Sequence, residues 1–208
     1  MTRLSLAASV AFTLALAVTF AGCDASEPQV IPPVPNSCAA VEYPDWETSA
    51  HVLPYPVGRA YGVLQGNCAG FSHTPGSTIA YAYDFPMTIG TVVTASRAGT
   101  VALVVEEYED YDNTRGHENG VAVDHGDGTW AFYVHFTRDG ALVAEGDAVA
   151  AGDTLGYSGN TGFSTEPHLH YDVRRGCPDD CQSVPVTFRN TDPNPRGLVQ
   201  GRAYPARP

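Results

Sequence analysis

The stretch Gly156 to Tyr171 places two imidazoles where they could do chemistry. Its second half, His168 to Val173, reads as a strand starting just after Pro167. Side chains alternate along a strand, so His168, His170 and Asp172 share one face, and Leu169, Tyr171 and Val173 the other. The second set is apolar and predicts core. The first set carries the commonest nitrogen ligand of zinc, which is also the side chain that titrates near neutral pH. The two could be two ligands, one ligand and one acid/base group, or a pair of surface histidines on a solvated strand. Asp172 could orient a ligand imidazole, although a solvated carboxylate is the simpler expectation. The first half, Gly156 to Glu166, is a Gly/Ser/Asn/Thr run that predicts a loop shaping a cleft.

The surrounding chain must supply partners. It has 208 residues, 43% hydrophobic and 16% charged, which suits one globular domain with a short appendage. A net charge of -12 offers no basic patch, so nucleic acid is excluded as a partner. Leu4 to Phe20 is uncharged, follows Arg3 and ends in small residues, which reads as a signal peptide over 1–22. Ala21-Gly22-Cys23 resembles a bacterial lipoprotein cleavage site, which implies a lipid on Cys23. Residues 23–37 are Pro-rich and predict a semi-rigid tether holding the domain, 38–208, off a membrane. The chain is thus expected to be exported and anchored, facing the periplasm or cell surface. Four cysteines remain, an even number that predicts disulfides outside the cytosol. The favoured pairs are Cys38–Cys68 and Cys177–Cys181.

From Val52 on, short β-branched runs separated by Gly, Pro, Asn and Asp predict an all-β domain. Strands are expected at Ile79–Phe85, Thr91–Ala95, Thr100–Glu106, Gly120–His125, Thr129–Phe136 and Val184–Phe188, with two short runs between Gly140 and Leu155. Asp127-Gly128 marks a hairpin turn. Asp84 falls on the strand face opposite Tyr81, Tyr83 and Phe85. His135 falls with Ala131 and Tyr133, opposite Trp130, Phe132, Val134 and Phe136. Tyr108 to Asn119 is acidic and aperiodic, and predicts an exposed loop. His73 lies in the turn-rich Gly70 to Ser77.

The order of these elements is more specific than any one of them. Asp84-Phe85-Pro86-Met87, Ala98-Gly99-Thr100-Val101, His125-Gly126-Asp127-Gly128, Tyr133-Val134-His135-Phe136, Gly146-Asp147-Ala148-Val149, Gly159-Asn160-Thr161-Gly162 and His168-Leu169-His170 together resemble the lysostaphin/LytM-type zinc endopeptidases over about residues 51–206. The resemblance implies a single antiparallel β domain of the duplicated hybrid motif type, with long loops around a zinc groove. It implies a zinc (Zn2+) cofactor and hydrolysis of peptidoglycan peptides. Carried over by position, His73, Asp84 and His170 are the implied metal ligands, and His135 and His168 the implied catalytic pair. The family's common pattern is His-x-x-x-Asp, whereas ten residues separate His73 from Asp84 here. His51 and His117 are the rivals for the His73 position. The same resemblance admits a second reading, a LytM-like regulator without activity that switches on a wall amidase. Such regulators have lost ligands, and here all five positions are occupied.

The implied set makes chemical sense. Catalytic zinc keeps three protein ligands and one open position, which two histidines and a carboxylate satisfy. Zinc lowers the pKa of a water at that position to about 7 and polarises a carbonyl. One further imidazole can move a proton and another can hydrogen-bond a developing oxyanion. Specificity would then reside in the flanking loops Glu109–Asn119 and Gly156–Glu166.

Overall fold

A computed structural model describes residues 38, 41–176 and 182–208. The expected signal peptide, lipidated Cys23, Pro-rich tether and Cys177–Cys181 bridge lie outside the described residues. The Cys38–Cys68 bridge is formed. Among the described residues there is no α-helix, and every strand pairing is antiparallel.

Among the described residues eleven strands form three sheets. The large sheet has the order β2-β10-β6-β5-β4-β8, from Tyr83–Pro86, His168–Arg175, Thr129–Val134, Gly120–Asp124, Gly99–Val105 and Ala148–Val149. A small sheet joins β3 (Val92–Thr94), β9 (Thr154–Ser158) and β7 (Phe136–Ala141) in that order. β1 (Ala60–Gly62) and β11 (Ala203–Pro205) pair alone. The expected alternation holds on β10: Leu169, Tyr171 and Val173 enter the core with Tyr83 and Phe85 of β2 and Ala131 and Tyr133 of β6. Val93 of β3, Leu155 of β9 and Phe136 of β7 join the same cluster, so both sheets enclose one apolar interior. The β5–β6 hairpin turns at Asp127-Gly128 as predicted, with Asp127 Oδ1 accepting the Thr129 amide at 3.0 Å.

Four expectations need correction. Ile79 to Ala82 is a chain of turns, with Ala80 N donating to Ser77 O and Ala82 N to Ile79 O, and the strand begins only at Tyr83. Val184 to Phe188 is no strand. It touches β10 through the Val184 amide on Val173 O, but Pro185 has no amide with which to continue a ladder. The run Thr154 to Ser158, expected to be partly loop, is β9. Its Gly156 lies where the Gly140 carbonyl and Phe136 ring leave no room for a Cβ, so glycine serves close packing rather than loop freedom. The expected strand Thr129–Phe136 breaks at His135, where the chain leaves the large sheet and enters the small one.

Candidate metal centre

The centre is built on strand register. β10 lies between β2 and β6, with His170 opposite Asp84 on one side and Val134 on the other. Directly opposed residues bring their Cβ atoms within about 5 Å on one face. His170 Nδ1 accordingly meets Asp84 Oδ1 at 2.9 Å. His73 arrives from the Gly70–Ser77 turns, and its Nε2 lies 3.5 Å from the same oxygen. The intervening Thr74–Ala82 segment folds as turns and is pinned by Ser183, whose amide donates to Thr78 O and whose Oγ accepts the Tyr81 amide. The ten-residue spacer thus leaves His73 and Asp84 together. The ligand-capable atoms of His73, Asp84 and His170 all lie within 4.8 Å of one another.

The donor chemistry fits a metal. His73 is fully buried, and its Nδ1 faces the Gly66 carbonyl at 3.3 Å. That contact places the proton on Nδ1 and leaves an Nε2 lone pair toward Asp84. His73 Nε2 has no hydrogen-bond partner, an expense that a buried polar atom rarely bears. Burial alone would raise the Asp84 pKa, but the hydrogen-bonded His170 imidazole outweighs it and holds the carboxyl well below its usual range. Burial alone would lower the His170 pKa, but Asp172 and Asp84 outweigh it and raise it to about 9. A ring held between two carboxylates favours a cation at its nitrogens, whether proton or metal.

Asp172 is a further correction to the sequence reading. It is not solvated; it is fully buried, with Oδ2 3.9 Å from His170 Nε2 and 3.0 Å from Arg174 Nε. Burial would raise its pKa, but His170 and Arg174 bring it down. Arg174 is itself held over the Phe132 ring at 4.2 Å.

His135 and His168 border the same groove, with ring centroids 4.6 Å apart. Each is tied through Nδ1 to a backbone carbonyl: His135 to Thr161 O and His168 to Glu166 O, both at 2.7 Å. These bonds place the proton on Nδ1 and free Nε2. His168 Nε2 lies 3.7 Å from Asp84 Oδ1. Burial pushes the His135 pKa down to about 3, and the neighbouring His168 and His170 push the same way. Burial also lowers the His168 pKa, against the pull of Asp84. Both rings are therefore neutral near pH 7, as a proton acceptor must be.

His135 reaches this groove by breaking strand alternation. Strict alternation would have sent it into the core with Ala131 and Tyr133. Its φ of 68° turns it to the groove and gives the core place to Phe136. The sequence reading missed the carbonyls of Gly66, Thr161 and Glu166 that aim the three rings. Backbone acceptors carry no residue signature; a place in the Gly159–Pro167 loop hinted at Thr161 and Glu166, and nothing hinted at Gly66. The rivals are elsewhere. His51 bonds the hydroxyl of Tyr171, on the apolar face of β10, at 3.2 Å. His117 stacks on Tyr108 and bonds Asp112 Oδ2 at 2.6 Å.

The profile of peptidase family M23 matches residues 78–185, just over half of the chain. The chain belongs to peptidase family M23. Over 114 residues it is 35% identical to the peptidoglycan DD-endopeptidase ShyA of Vibrio cholerae, covering 53% of this chain and 24% of that protein. Over 118 residues it is 35% identical to lysostaphin of Staphylococcus simulans, covering 56% of this chain and 21% of that one. The match thus spans about a quarter or less of these relatives. The crystallised catalytic domain of lysostaphin from the same organism aligns at a TM-score of 0.42 and 26% identity, over 65% of this chain and 84% of that one. M23 metallopeptidases are zinc-dependent, and His73, Asp84 and His170 form a group that could hold the metal.

Proposed function

We propose that this M23 chain is a zinc endopeptidase that hydrolyses peptide bonds of bacterial peptidoglycan. The observation that carries the reading is the buried, unpartnered Nε2 of His73 facing Asp84 and His170, with two further imidazoles beside it. His73, Asp84 and His170 would hold zinc. Zinc there supplies Lewis acidity and lowers the pKa of water at its open position to about 7. His135 and His168, each with Nδ1–H donated to a carbonyl, present Nε2 to the groove. One takes the proton of the attacking water on Nε2 and returns it to the leaving amine; the other would stabilise the developing oxyanion as an imidazolium, after taking up a proton on Nε2 with which to donate a hydrogen bond. The names of the relatives, a peptidoglycan DD-endopeptidase and lysostaphin, support the wall as substrate. A wall substrate in turn supports an exported location.

The presence of all five groups favours the enzyme over the amidase-activating regulator. The deciding experiment measures zinc by mass spectrometry and soluble peptides released from purified sacculi, for the chain and for His73→Ala. Zinc near one equivalent with release, both lost in the variant, is the expected result. Bound zinc without release from sacculi of any cross-link type would overturn the enzyme and leave the regulator.

A further inference from the structure

The groove at the candidate metal centre encloses about 530 Å³. Leu64, Phe71 and Ile79 contribute apolar lining. Arg115 and Phe163, from two different loops, also line it, with the guanidinium carbon 4.6 Å from the ring centroid. The two loops are stapled together. The Glu118 carboxylate accepts the Gly116 amide at 2.9 Å and the Phe163 amide at 3.1 Å. Gly162, at a φ of 66°, packs so closely on Glu118 that no Cβ would fit. His117, stacked flat on Tyr108 and bonded to Asp112, braces the same loop.

Arg115 is exposed and has no ion-pair partner among the described residues. Arg97, Arg138, Arg174, Arg202 and Arg207 each have a carboxylate partner, whereas Arg115 is one of five described arginines without one, and it lines the groove. Acidic residues crowd the Arg115 loop at Glu106, Glu107, Glu109, Asp110, Asp112 and Glu118, yet the guanidinium lies over an aromatic ring beside the groove. The charges that share the groove are otherwise committed. Arg174 pairs with Asp172, Asp84 faces the histidines, and Glu118 holds two amides. Glu166, like Glu118, has no ion pair among the described residues, and its carbonyl holds His168. A guanidinium stacked on a ring keeps its N–H edge free, in the planar fork that matches a carboxylate.

We infer that Arg115 is a specificity-determining residue that recognises a free carboxylate on the bound peptide, so that the groove selects acidic over neutral peptides. The inference rests on the peptide-hydrolase reading above. It deepens that reading by favouring stem peptides, which carry carboxylates, over neutral oligoglycine bridges.

Binding separates the two claims. The zinc-loaded full chain is titrated calorimetrically with a stem tetrapeptide, L-Ala-γ-D-Glu-L-Lys-D-Ala, and with the same peptide amidated at both free carboxyls. The acid form should bind about fivefold tighter at low salt, the scale of one partly exposed charge pair. Arg115→Gln should abolish the difference, and Arg115→Lys should keep only part of it, having charge without the fork. Equal affinity in the wild type, a preference that persists in Arg115→Gln, or no binding of either peptide would overturn the inference. An acid preference that vanishes in Arg115→Gln upholds it even if sacculi release nothing, the result that would defeat the endopeptidase reading alone.

Discussion

His51 offers a prediction whose size follows from burial. Its side chain lies beneath β10, only 8% exposed, with Nδ1 3.2 Å from the Tyr171 hydroxyl and 3.4 Å from Ser96 Oγ. Burial pushes its pKa down to about 3, and His125 and Arg97 push further the same way. In the unfolded chain an ordinary imidazole titrates near 6.5. Above pH 6.5 the ring is neutral in both states and its full contribution to stability is present. As pH falls from 6.5 toward 3, the unfolded chain binds a proton that the folded chain does not. Stability is therefore lost at about 1.4 kcal/mol per unit of pH, or about 2 kcal/mol between pH 6.5 and 5. Below pH 3 both states are protonated and the loss stops.

Urea unfolding at pH 7 and pH 5, for the wild type and His51→Gln, isolates this contribution. Excess chelator in all four samples removes the metal's own proton linkage. The other histidines titrate in both proteins and largely cancel. The His125 ring lies 5.6 Å from His51, but His51 is neutral across this range, so its replacement leaves the charge around His125 unchanged. The wild type should lose about 2 kcal/mol more than the variant between the two pH values. Equal losses would refute the buried neutral imidazole. The variant should also retain its zinc in the absence of chelator, because Tyr171, the partner of His51, belongs to the core face of β10.

The remaining predictions concern the centre itself. His135→Ala and His168→Ala should each bind zinc as the wild type does and release wall peptides at least ~100-fold more slowly; undiminished turnover in either removes it from the catalytic pair. Asp172→Asn should weaken zinc binding about 10- to 100-fold in a competition titration with a fluorescent chelator, as expected when the group behind a ligand imidazole is neutralised. An unchanged zinc affinity would reduce Asp172 to the counter-ion of Arg174.

Much of the fold was legible because its cues are local. The alternation of His168 to Val173 gave both faces of β10, and Asp127-Gly128 gave the β5–β6 hairpin. What failed depended on distant partners. Ile79 to Ala82 has strand residues, yet bonds with Ser183 stabilise it as turns. Val184 to Phe188 has strand composition, but Pro185 lacks the donor that pairing needs. β1 and β11 are three residues each, too short for any period, and exist because Ala60–Gly62 meets Ala203–Pro205 across the chain. Asp172 looked solvated because two histidines share its face. That face is instead the floor of a buried centre, where Arg174 supplies the countercharge.

His135 shows where a family motif and a strand pattern diverge. The motif named the residue, while alternation sent it to the wrong face. A non-glycine residue at positive φ costs of order 1–3 kcal/mol and persists only where its surroundings over-determine it. Here three contacts do so. The Gly159 amide donates to His135 O at 2.7 Å, His135 Nδ1 donates to Thr161 O at 2.7 Å, and the Phe136 amide that follows donates to Asn119 O at 3.1 Å. Thr161 Oγ1 in turn accepts the Asn119 amide at 3.0 Å and donates to Phe136 O at 2.9 Å, closing the ring of bonds around the corner. Gly159 itself lies against Thr137 and Asp110 with no space for a Cβ. The Gly159-Asn160-Thr161-Gly162 run therefore serves less to line a cleft than to hold a strained histidine at the junction of two sheets. This explains why a loop so poor in ionisable groups accompanies the histidines in the motif: it contributes carbonyls, amides and close approach, none of which depends on a reactive side chain.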